Sequence, residues 1–168
     1  MRSKTILFSA ALLSAWLAAP APTVAGVTGL AEKIVVVQQR WAHVNYELPK
    51  DQRGAAYTAL EGSEDALIKT YPGRPEPLIW KAITLSTHAG ASGGFSALRM
   101  VHEARDLLLA AQKIDPEAMD GSIYTSLGSL YYKVPGWPLG FGDDDKAERL
   151  LHAALKVNPA GIDPNYFY

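Results

Sequence analysis

Four histidines, a run of three aspartates and one aromatic-bearing loop are the residues of this 168-residue chain whose types and spacing could do chemistry. No two of His43, His88, His102 and His152 stand four apart with the adjacent glutamate that builds a helical zinc site. No serine-centred nucleophile motif accompanies them, and a catalytic histidine needs both a positioned partner and an orienting group. They read as solvated or packing side chains, so neither a catalytic residue nor a metal or cofactor is expected. Asp143-Asp144-Asp145 offers the clustered oxygens that hard cations favour, yet it lacks the spaced ligands and trailing glutamate of a calcium loop. It reads instead as a helix N-cap followed by charge that complements the positive end of the helix dipole. The chain has no cysteine, which excludes disulfides, thiolate catalysis and cysteine-ligated metals. The loop Val134-Pro-Gly-Trp137-Pro-Leu139-Gly-Phe141-Gly142 is unusually apolar for a surface connection. Its alternating Trp137, Leu139 and Phe141 either form a lip that meets a ligand or partner, or fold inward as a plug.

The elements that position these residues begin after a targeting segment. Arg2 and Lys4 precede an apolar run from Thr5 to Ala19, and Thr23-Val24-Ala25 follows, which is the layout of a secretory signal peptide cut after Ala25. That run is short of the roughly 20 residues needed to span a bilayer. Residues 1–25 are therefore expected to be removed and residues 26–168 to form a periplasmic domain, with no lipid-anchoring cysteine. The whole chain carries 16 basic and 17 acidic residues; without Arg2 and Lys4 the balance is 14 − 17 = −3. Nucleic acid and anionic membranes reward clustered cations, so neither is an expected partner.

A seven-residue phrase recurs three times, ending at Pro72, Pro116 and Pro159, with spacings of 44 and 43 residues. Fixed periods of this size belong to helical-repeat solenoids. Leu30, Ile34, Val37, Trp41 and Val44 alternate steps of four and three, continuing to Leu48, and predict a helix over 27–46. Further helices are predicted over 52–71, 77–89, 95–114, 121–133 and 143–157, with prolines closing them and Gly90 to Gly94 breaking the third from the fourth. The helices pair into hairpins over about 27–72, 77–116 and 120–159, with a stub at 160–168. Asn165 to Tyr168 reads as the opening of a truncated seventh helix, or as an aromatic end that docks on another subunit.

The later units align beyond the shared ending. Trp80, Ile83, Thr84 and Thr87 superimpose on Tyr124, Leu127, Gly128 and Tyr131, and Ala104 and Ala111 on Ala147 and Ala154. This resembles the tetratricopeptide pattern, whose small residues let helices touch and whose aromatics fill the core, a role expected for Trp80, Tyr124 and Tyr131. The resemblance implies an all-α, right-handed solenoid of three antiparallel hairpins. It also implies groove-facing positions at Lys81 and His88 in the middle unit and at Thr125, Ser129, Tyr132 and Lys133 in the last. Such a groove, mixing aromatic surface with a few polar donors, suits a peptide or an organic acid. The extra length over a 34-residue repeat lies largely between the helices of a hairpin, where insertions often mark the binding face.

The run from Leu127 to Asp143, then Lys146-Ala147 and Asn158 to Tyr168, is similar to the T-component family associated with TRAP transporters. That similarity implies an exported helical protein that binds an apolar small ligand or pairs with a periplasmic substrate-binding protein. The chain is thus expected to be a non-catalytic binding or adaptor protein. The alternatives are a general tetratricopeptide scaffold for envelope complexes and, remotely, an envelope hydrolase.

Overall fold

The computed structural model describes residues 24–168 and their side chains from Gly29 onward. The signal-peptide reading of residues 1–25 lies outside this span, apart from the backbone of Val24 and Ala25. The described residues form an all-α protein without strands: α1 Val24–Ala42, α2 Lys50–Thr70, α3 Pro75–Ser92, α4 Gly94–Ile114, α5 Ala118–Lys133, α6 Asp144–Val157 and α7 Ile162–Phe167. Among them no helix is long and apolar enough to cross a membrane. The most extensive contacts join α3 to α4, α5 to α6 and α2 to α3.

The recurring phrase stops three helices in the same way. Tyr71, Asp115 and Asn158, each preceding a proline, leave the helical torsions and donate their amides to the carbonyls of Leu67, Ala111 and Ala154 at 2.9, 3.0 and 2.9 Å. The following proline disfavours helical torsions at the residue before it, so the turn ends there. Asp143 extends the logic to a helix start: its carboxylate accepts from the amide of Lys146 at 2.8 Å and caps α6.

Small residues set the spacing of the later helices. Ala104, Ala111, Ala147 and Ala154 are buried. A Cβ on Gly128 would lie 2.7 Å from Leu151 Cγ and 3.2 Å from the carbonyl oxygen of Ala147, so α5 and α6 approach as closely as glycine allows. In the first unit the positions equivalent to Ala104 and Ala111 are Leu60 and Leu67, and α1 touches α2 far less than α2 touches α3. A cavity of about 480 Å³ lies between α1 and α2, bordered by Val36, Val44 and Leu60. The stripe along α1 nonetheless buries Leu30, Ile34 and Val37, and Val44 just after the helix is buried too.

Two helix ends differ most from the sequence expectation. The helix predicted to end at Tyr46 closes in a π-helical turn at His43–Glu47, where Asn45 accepts a hydrogen bond from Tyr57 at 3.1 Å. Gly90 does not break α3: the helix runs through it to Ser92, and the reversal falls on Gly93 and Gly94 at φ 68° and 69°. Much of the middle unit's extra length is thus helix, because an exposed glycine only weakens a helix whereas two successive left-handed torsions turn the chain. The Gly121 start holds for the regular helix: Ala118 opens α5 as a single turn, and Met119, Asp120 and Gly121, all at positive φ, form a kink from which the regular helix runs on. Of the expected core aromatics Tyr131 is buried, while Trp80, packed edge-on against Trp41, and Tyr124 are only half-buried.

Candidate functional site

Two regions carry the residues the sequence singled out, and they differ in chemistry. The first is a polar seam between α2 and α3. Tyr57, Glu61, Glu64 and Asp65 recur at steps of four, three and one, which places them on one face of α2. Lys81, Thr84 and His88 do the same on α3, and the two rows meet in antiparallel order. His88 stacks on Tyr57 at 5.3 Å and sets Nδ1 2.7 Å from Glu61 Oε1. Thr84 donates to Glu64 Oε1 at 2.7 Å. Lys81 pairs with Asp65 and, 3.2 Å away, with Glu103 of α4.

Lys81 and His88 therefore do not face an open groove. Both are buried, at 8% and 7% exposure, because α2 lays its own polar face over the positions that the repeat pattern assigns to solvent. Burial disfavours the Lys81 ammonium, but its hydrogen bonds to Asp65 and Glu103 outweigh that effect and hold its pKa above the usual lysine value. Thr125 is buried as well, and its hydroxyl turns back to the carbonyl of Gly121 at 3.4 Å.

The second region is an apolar cavity of about 570 Å³ that opens to solvent where α3, α4, α5 and the 134–142 loop converge. Ala89, Leu98, Val101, Leu130 and Val134 form its walls, and Phe95 and Leu139 stand at its edge. Ser86 and Ser129 also line it, yet each donates its hydroxyl proton to its own helix, at 2.7 and 2.9 Å, leaving oxygen lone pairs as acceptors. Lys133 lines the cavity as well, with its ammonium 5.6 Å above the ring of Phe167. Of the nine candidate site residues, Ser129, Lys133 and Leu139 share this cavity, and Tyr132 faces away toward α6 and the chain end. The walls from α3 and α4 were missed because they are small or aliphatic residues without a polar signature. The one local signal is the dense glycine and alanine between Ala89 and Gly94, which leaves space beside a helix turn.

The loop resolves its two readings residue by residue. Phe141 packs inward, edge-on to Tyr131 at 5.2 Å and His102 at 5.0 Å, with the Arg105 guanidinium 4.7 Å over its ring. Trp137 and Leu139 project outward, at 90% and 70% exposure. The loop backbone closes on itself: Leu139 and Gly140 donate to Gly136, Gly142 donates to Pro135 at 2.9 Å, and Asp143 donates to the carbonyl of Tyr131 at 2.9 Å. Gly140 and Gly142 face the carbonyls of Pro135 and Val134 so closely that a side chain at either position would collide with backbone.

The walls of the cavity offer mainly shape and apolar surface, with Ser86, Ser129 and Lys133 as the polar residues among them. No protein-family model matches this chain, and no curated protein matches it in sequence.

Proposed function

We propose that this chain is a non-catalytic, exported binding protein that holds an apolar small molecule bearing an acidic group. The observation that carries this reading is the apolar cavity of about 570 Å³ beside the inserted loop, with Lys133 among its lining residues. Apolar walls supply affinity, and a single placed cation fixes orientation. In the same proposal the three hairpins stack as a tetratricopeptide-like right-handed solenoid. The shared helix stops and the contacts running from α2 to α3, α3 to α5 and α4 to α5 support that stacking. The similarity of the 127–168 region to TRAP-associated T-components supports periplasmic placement alongside a substrate-binding protein.

Native mass spectrometry of the purified protein tests the ligand. A co-purifying apolar acid, lost in a Leu98→Trp variant that fills the cavity, is the expected result; a clean spectrum from both proteins would overturn it. The exposure of Trp137 favours a second reading, a scaffold that docks a protein partner through the loop. A partner captured by the wild type and lost in Trp137→Ala, with no ligand in the spectrum, would select it.

A further inference from the structure

The polar seam holds an acid that the cavity does not use. Glu64 is 0% exposed, and Thr84 satisfies Oε1 while Oε2 has no hydrogen-bond partner. The charged groups around it come from three helices. Glu61 and Asp65 flank it on α2, Lys81 and His88 face the row from α3, and Glu103 reaches Lys81 from α4. Lys81 is already shared between Asp65 and Glu103, so it compensates Glu64 only weakly. An ionised carboxylate in this position would be buried with one hydrogen bond between two other carboxylates, which is costly; a neutral carboxyl, though it still buries one unpartnered oxygen, costs much less.

We infer that the α2–α3 contact is a proton-held clasp, closed when Glu64 is neutral and loosened as its proton leaves. Burial is the main cause that pushes the Glu64 carboxyl up to about 8, with the Thr84 hydrogen bond opposing and Glu61 adding to the rise. Opening the seam returns the group to water and to its ordinary value near 4.5. A raised carboxyl stabilises the closed form fully below about pH 4.5, and that stabilisation is lost progressively up to about pH 8, beyond which it changes no further. Within the window the open population grows by up to about tenfold per pH unit. Rising pH therefore frees α2 from α3, while α1 keeps a separate tie through Trp41 Nε1, which donates to Thr87 at 3.1 Å.

Hydrogen exchange of the full chain between pH 5 and pH 7.5, corrected for intrinsic rates, reads this opening. The protection of α2 amides is expected to fall by up to about tenfold per pH unit while that of α6 stays level, and Glu64→Gln is expected to abolish the fall in α2. Parallel behaviour of α2 and α6, or a slope retained in Glu64→Gln, where the His88 and Glu61 contact is intact, would overturn the clasp. Should that variant fold poorly, Glu64→Met provides the same comparison without a carboxyl. A carbon-13 titration of wild-type Glu64 decides independently: an ordinary carboxylate midpoint refutes the inference, and a midpoint near neutrality or above supports it.

Discussion

The first helical pair and the last carry the same closing phrase and are held in different ways. Between α5 and α6, Gly128, Ala147 and Ala154 bring two backbones together, and the contact is close and made by small buried residues. At the first unit leucines replace the small residues, α1 and α2 stand apart, and α2 is fastened to α3 by paired polar side chains. A repeat phrase therefore dictates where a helix ends without dictating what grips it. Close packing responds to volume, whereas a polar seam responds to charge and to protons.

Truncating Leu60 to alanine makes the first unit resemble the later ones in sequence, and it is the sharpest way to break the comparison. If small residues alone brought helices together, the variant would tighten. Because α1 is not poised to move in, the expected result is an enlarged cavity and a loss of about 3 kcal/mol in urea unfolding. Gly128→Val attacks the other side, driving a branched side chain into Leu151 and the Ala147 carbonyl, and should cost about 2 kcal/mol by the same assay. The loop gives the smallest effect and the finest contrast. Trp137→Ala should leave stability within about 0.5 kcal/mol, since the side chain is exposed, whereas Phe141→Ala should lower the melting temperature measurably by emptying the contact with Tyr131.

The sequence discloses those features that depend on near neighbours. The Asp143 cap, the proline stops and the small residues at Gly128, Ala147 and Ala154 follow from local torsions and from the repeat alignment. The fates of Lys81 and His88 do not, because each depends on a row of α2 side chains that looks solvated when read along the chain. Glu61, Glu64 and Asp65 are three acids in five positions, a pattern that normally faces water. Only the pairing of α2 with α3 turns that face inward. The cavity was hidden for the opposite reason: residues such as Ala89 and Val101 are indistinguishable in sequence from ordinary core.

The self-bonded loop of residues 134–142 has a consequence for whatever meets Trp137. A tryptophan on a slack connection would have to surrender backbone freedom on binding, and that lost entropy would be subtracted from the affinity. Here the backbone around it is already tied at Pro135, Gly136 and Tyr131, so little backbone freedom is left to lose on an encounter. Complexes formed through it should owe their lifetime to a small, rigid contact, and loosening the loop at Gly142 should shorten that lifetime while leaving the indole itself untouched.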